Sequence, residues 1–191
     1  MGSDEVAGDQ KKAQDEGRTI VFLDESGFYL APLASYSWGP CGKALRVRGR
    51  LRSKHLSVIG ALTACGRLFL HVHRHTCHSH EVILFLRHLL FKISGNLLIL
   101  WDGGRIHHSH GLTAFLALDR TRRLAFERFP PYAPEVDPQE YVWRHLKYDE
   151  VVNRTKFTID QLEIYLRKAA QRLRRRVSTL RNFIRHAGLA V

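Results

Sequence analysis

Leu97-Leu98-Ile99-Leu100-Trp101-Asp102-Gly103-Gly104 is the stretch that decides the fold class. Five apolar residues in a row, without alternation, are the pattern of a strand covered on both faces, at the centre of a sheet with helices on either side. The flanking segments agree. Upstream, Val82, Leu86, Leu89 and Ile93 recur at helical spacing, with Ser79 as the candidate N-cap, Glu81 in the first turn and Gly95 as the stop. Earlier still come strand-like runs: Arg18 through Ile20, Val21, Phe22 and Leu23 to Asp24; Phe28 to Ala34 after a turn at Gly27; Leu56 to Ala64; and Leu68 to His75. Gly66 and Arg67 make the hairpin between the last two.

Downstream, a short helix is expected over Ser109 to Leu118 and a strand over Leu124 to Phe129. Pro130-Pro131-Tyr132-Ala133-Pro134 is extended or turned, because proline biases the residue before it away from helix. Asp137-Pro138-Gln139-Glu140 reads as a helix start: Asp as N-cap, Pro at N1, and Glu140 at N3 as a capping-box partner. Thr158 to Gln161 opens another helix, which carries Ile159, Leu162, Leu166 and Leu173, and Thr179 to His186 is a last short one. Strands alternating with helices give an α/β protein with a mixed sheet flanked by helices. The organisation expected is a flexible polar tail over residues 1–17, one domain over 18–152, and basic helices over 153–191 packed on it.

Charge narrows the function. The chain has 191 residues, 30 Lys and Arg against 18 Asp and Glu, and a net charge of +12. Residues 1–17 hold five acids and two lysines, so the remainder carries +15. Such a body attracts polyanions, and nucleic acid is the expected partner. No apolar run approaches the roughly 20 residues of a bilayer span, and the polar N-terminus is not a secretory signal. Cys41, Cys65 and Cys77 form no CxxC pair and fit a reducing compartment. A cytoplasmic protein is therefore expected.

In so basic a chain the carboxylates at strand ends stand out. Asp24 closes the first strand, Asp102 closes Leu97–Trp101, and Glu140 opens a helix. Ligands gather at the C-terminal ends of strands in open α/β sheets. A few carboxylates there suit Mg²⁺ or Mn²⁺, and two such ions can clamp both oxygens of a displacement at phosphorus. Each acid also has an ordinary use: Asp24 and Asp102 as turn residues, Glu140 in the capping box. Glu25 is expected on the opposite face of the strand from Asp24, by alternation, and Asp137 is best used as a cap.

Leu23-Asp-Glu-Ser-Gly-Phe28, residues 97–109 (LLILWDGGRIHHS) and residues 129–147 (FPPYAPEVDPQEYVWRHLK) resemble the three signature blocks of mariner-like insertion-sequence transposases, in particular the bacterial branch with an Asp-Asp-Glu catalytic domain. Residues 35–47, with Trp38, resemble a further segment of that family. The resemblance covers about residues 18–150. It implies a ribonuclease-H-like fold, Asp24, Asp102 and Glu140 as catalytic residues holding two Mg²⁺ or Mn²⁺ ions, phosphodiester hydrolysis followed by strand transfer, and a homodimer joining element ends to target DNA. The 37 residues between Asp102 and Glu140 are slightly more than the family spacing. The family's helix-turn-helix modules do not fit in 17 polar residues, so a separately encoded DNA-binding chain is expected, as is association with the nucleoid if the source is bacterial. Two other readings stay open: a non-catalytic DNA-binding remnant of a transposase, and another nuclease of the same fold.

Arg46, Arg48, Arg50, Arg52 and Lys54 alternate, so on an extended segment they form one row suited to tracking phosphates. His107, five residues after Asp102, is a candidate accessory residue at the site's edge. The arginines near the C-terminus read mostly as a solvated helix face. His71, His73, His75, Cys77, His78 and His80 form a dense tract that would suit zinc, but it has no distal ligand pair, and a polar edge strand explains it as well. Trp38 and Trp143 are expected to be buried.

Overall fold

The computed structural model describes residues 16–30, 54–102, 109–129, 136–151 and 158–189. Five strands form one sheet in the order β3-β2-β1-β4-β5: β1 (Thr19–Tyr29), β2 (His55–Thr63), β3 (Leu68–His73), β4 (Leu97–Trp101) and β5 (Leu124–Arg128). The first three pair antiparallel, while β4 runs parallel to both β1 and β5. The helices are α1 (Ser79–Lys92), α2 (His110–Leu116), α3 (Pro138–Arg144), α4 (Ile159–Arg174) and α5 (Val177–His186), with a π-helical segment at His145–Val151 after α3. This is the mixed sheet with flanking helices that the element order predicts.

Strand alternation divides the core in two. Phe22 and Phe28 of β1, Leu98 and Leu100 of β4, Val142, Trp143 and Leu146 of the α3 region, and Leu162, Leu166, Leu180 and Ile184 of α4 and α5 pack together on one face. Val21, Leu23, Ile99 and Trp101 pack on the other, against Val82, Phe85, Leu86 and Leu89 of α1 and Leu112 and Phe115 of α2. β4 is buried at all five positions, as its unbroken apolar run requires. No helix among the described residues is long and apolar enough to cross a membrane.

Several expectations change. Gly27 does not turn the chain: β1 runs through it to Tyr29, because β2 pairs with the strand as far as Tyr29↔His55. Asp24 therefore lies within a strand, not at its end. The cap of α1 is His78 rather than Ser79, since the Glu81 carboxylate accepts the His78 backbone N–H at 2.9 Å. Thr158 opens α4 as expected, with Gln161 completing a capping box, and Ser109, expected within the helix, is instead the cap of α2. The hairpin glycine, Gly66, has φ +83°, a conformation that suits glycine.

The helices are held by specific polar contacts. The Arg174 guanidinium donates from α4 to the Leu68 and Leu70 carbonyls of β3, covering part of an edge strand that would otherwise offer its backbone to other chains. Tyr141 of α3 donates to the His186 carbonyl at the end of α5. Glu150, in the π segment, accepts from Tyr165 and Arg172 of α4.

Helix α3 approaches the sheet closely at Gly60. A Cβ there would collide with the Gln139 side-chain amide and lie 2.5 Å from Cη2 of Trp143 and 2.9 Å from Leu70 Cδ2. Gln139 and Trp143 are 0% and 1% exposed, so neither can yield. Gly60→Ala is expected to lower stability by about 1–3 kcal/mol through overpacking, with a lower denaturant midpoint at an unchanged slope as the measurement.

Candidate active site

The parallel register of β1 and β4 ends on the pair Leu23↔Trp101. The next residues in line are Asp24 and Asp102, so the two acids emerge side by side where β4 stops and β1 continues. Asp24 has the parity of Phe22 and Phe28, and Asp102 that of Leu98 and Leu100, which places both on the α3 side of the sheet. Across the antiparallel ladder Asp24 pairs with Gly60, the residue on which α3 rests. One strand position thus meets a second acid on one side and the incoming helix on the other.

Asp137 caps α3: its Oδ1 accepts the Gln139 backbone N–H at 2.9 Å. Glu140 does not serve as capping-box partner. Its side chain is exposed, which leaves the carboxylate at the surface in the first turn of the helix. One turn further on, Trp143 donates its indole N–H to Asp24 Oδ2 at 2.6 Å.

The electrostatics show that these acids share one region. Burial pushes the Asp24 carboxyl up from 3.8 to about 7; the Trp143 bond opposes that rise, and the charges of Glu25 and Glu140 add to it. Burial also holds Asp137 well above its ordinary value, reinforced by the negative charges of Asp24, Glu140 and Asp102. Four carboxyls from three chain segments therefore repel one another in a chain of net charge +12. Oxygen donors crowded in this way are the set a hard divalent cation accepts. Among the described residues, no group of three or more His, Cys, Asp or Glu side chains is already drawn together tightly enough to hold an ion.

Glu25 has the parity of Leu23 and faces the α1 side. There its charge, after burial, helps push the Cys77 thiol up to about 12. Lys54 is exposed ahead of β2. Arg46, Arg48, Arg50, Arg52 and His107, as well as Cys41 and Trp38, lie outside the described residues. Among the described residues the histidine tract gathers into no metal group: His71 packs its ring against Phe85 and His88, with burial lowering it to about 4, and His75 pairs with Glu81 at 3.2 Å. Several basic residues near the C-terminus are used internally, including Arg167 on Glu163, Arg172 on Glu150 and Arg174 on β3; Lys168, Arg175 and Arg176 are exposed.

Residues 19–163 match the family model for the DDE superfamily endonuclease. The chain belongs to this family. Solved structures agree on the fold. A Mos1 mariner paired-end complex with Mg matches with a TM-score of 0.65 at 15% identity, over 98% of this chain and 60% of that one. The corresponding complex with Mn gives 0.65 at 14% identity, over 100% and 61%. The isolated Mos1 catalytic domain gives 0.58 at 13% identity, over 100% of this chain and 92% of that one. The fold is thus the ribonuclease-H-like one of transposase catalytic domains, and the chain spans about 60% of the length of the longer Mos1 chains. No curated protein matches by sequence.

Sequence reasoning missed three parts of this candidate site. Asp137 was assigned only as a cap, although it is also a fourth acid. Trp143 was expected to be buried and is, but its single donor is aimed at Asp24. Gly60 carried a signal, an isolated glycine inside an apolar strand, which marks a close approach of other atoms.

The raised Asp24 carboxyl has a stability consequence. A carboxyl that binds its proton more tightly folded than unfolded costs the fold nothing below about pH 3.8; the cost grows up to about pH 7 and is complete above it. Asp24→Asn keeps an oxygen for Trp143 and removes that cost. Metal-free Asp24→Asn should melt above the native chain at pH 8, and the gap should close as the pH falls towards 4, read from thermal unfolding at several pH values.

Proposed function

We propose that the chain is the catalytic domain of a DNA transposase, in which Asp24, Asp102 and Glu140 hold two Mg²⁺ or Mn²⁺ ions and carry out phosphodiester hydrolysis and strand transfer. The observation that carries the proposal is the alignment of Asp24 with Asp102 in the parallel β1–β4 register, with Glu140 delivered by a helix bonded to Asp24 through Trp143. The family model and the Mos1 structures with Mg and with Mn support the chemistry.

When bound, the ions supply Lewis acidity and charge neutralisation at the scissile phosphate. The protein does the rest. Asp24 and Asp102 offer oxygens from a rigid sheet. Glu140 closes the donor set from α3, and Asp137 fixes the start of that helix. The raised Asp24 and Asp137 carboxyls mean that without a cation the protein partly neutralises its own repulsion by retaining protons. His107, five residues after Asp102 in the sequence, is proposed as an accessory residue.

The net charge of +15 outside the first 17 residues draws DNA to the domain, with Arg46, Arg48, Arg50, Arg52 and Lys54 as a phosphate-tracking row. The Mos1 structures include a paired-end complex and a strand-transfer complex, which supports a homodimer working on element ends and target DNA. The resemblance to the bacterial insertion-sequence branch supports a cytoplasmic, nucleoid-associated enzyme.

The test is nicking of supercoiled plasmid by the full chain with Mg²⁺ or Mn²⁺. Asp102→Asn and Glu140→Gln should each lower it by more than about 100-fold, beyond the loss typical of changing a residue that only supports a ligand. Cleavage of RNA–DNA hybrids or junctions without strand transfer would identify another nuclease of this fold, and metal-independent DNA binding without cleavage a remnant.

A further inference from the structure

Trp143 donates its only polar hydrogen to a carboxylate rather than to a backbone carbonyl or solvent. The ring has no freedom to choose otherwise. It is 1% exposed, its edge lies over Gly60, and Phe28 meets it in a T-shaped contact at 6.1 Å. The indole cannot slide along the sheet without striking β2, nor tilt without losing Phe28. Its N–H is therefore a fixed point in space, and Asp24 Oδ2 sits on that point at 2.6 Å.

We propose that Trp143 is a positioning residue for Asp24: the indole N–H holds Oδ2 and so fixes the rotamer in which the carboxylate stands beside Asp102 and Glu140. This inference rests on the proposed metal-dependent reading of the site. Three features favour it over packing alone. An indole N–H is donor-only and does not titrate, so it orients a carboxylate without competing for a cation or a proton. A hydrogen bond to an ionised acceptor is about twice as strong as a neutral one, enough to select one rotamer of a short side chain. Trp143 also lies three residues after Glu140 on the same helix, so the bond that fixes Asp24 fixes the distance between two acids 116 positions apart in the sequence. Groups that orient metal-binding carboxylates typically matter by 10–100-fold in affinity.

The experiment measures Mn²⁺ binding to the full chain by titration calorimetry, independent of any DNA reaction. Trp143→Phe keeps a ring in the core and removes the N–H. It should still unfold cooperatively and bind Mn²⁺ about 10–100-fold more weakly than the native chain, while Asp24→Asn should bind weaker still. A folded Trp143→Phe with native Mn²⁺ affinity, beside an Asp24→Asn that has lost it, would overturn the positioning role and leave the metal site standing. Native affinity in Asp24→Asn would overturn both. Should Trp143→Phe not fold, the indole N–H resonances of the native chain decide the matter, with Trp38→Phe and Trp101→Phe assigning the other two. The Trp143 resonance should move in Asp24→Ala and stay in place in Asp102→Asn; an unmoved resonance in Asp24→Ala would overturn the proposal.

Discussion

The seating of α3 on β2 at Gly60 is the contact on which the rest of the site depends. Only a residue without a side chain lets Gln139 and Trp143 settle against the strand, and only at that depth does the Trp143 indole reach Asp24 on the neighbouring strand. The helix is then pinned from outside. Tyr141 bonds the end of α5, and Glu150 in the following π segment ties to α4 through Tyr165 and Arg172. A seven-residue helix has little stability of its own. Here it takes its position from a buried tryptophan, a glycine gap and two helices behind it.

That position is electrostatically uncomfortable. Seating α3 brings Asp137 and Glu140 towards Asp24 and Asp102, and burial adds its own penalty at Asp24 and Asp137. Both side-chain polar atoms of Gln139 are buried without a hydrogen-bond partner among the described residues. An apolar residue at 139 would fill the same space without that cost. An unsatisfied amide and crowded carboxyls at the seat of α3, set against an apolar cluster, mark a place shaped for something other than stability. The two apolar clusters supply the reserve from which these penalties are met.

Most of the scaffold is legible in the sequence because its signals are local. Leu97–Trp101 announces a doubly covered strand, the spacing of Val82, Leu86 and Leu89 announces a helix, and Asp137-Pro138 and Thr158 announce helix starts; all appear where read. The failures have a common cause. Gly27 read as a turn because glycine is locally permissive, but pairing with β2 along the whole of β1 overrode it. Glu140 read as a capping partner because the motif fits, but the aspartate cap bonds to N2 instead. That Asp24 and Asp102 stand side by side is a matter of register between strands 78 positions apart, and no local pattern encodes it. The bond between Trp143 and Asp24 is less legible still, since burial alone already accounts for a tryptophan in that helix.

The charge pattern has a further consequence for how binding and chemistry relate. A cluster of carboxylates repels the phosphates that the rest of the chain attracts. The long-range field of a +15 body and the short-range field of its four acids therefore act in opposite directions on the same ligand. Within a few ångströms of Asp24 the acids dominate, since unscreened Coulomb energy rises as the inverse of distance; beyond a Debye length of about 8–10 Å only basic groups close to the DNA still attract it. On the proposed reading, DNA is held by the basic surface and kept off the acids until cations stand between them. The same ions that relieve the repulsion among Asp24, Asp102, Glu140 and Asp137 then turn a phosphate-repelling cluster into a phosphate-binding one. On that reading, association with DNA and reaction with it are separated by the state of a single group of carboxyls, which a basic surface alone cannot achieve.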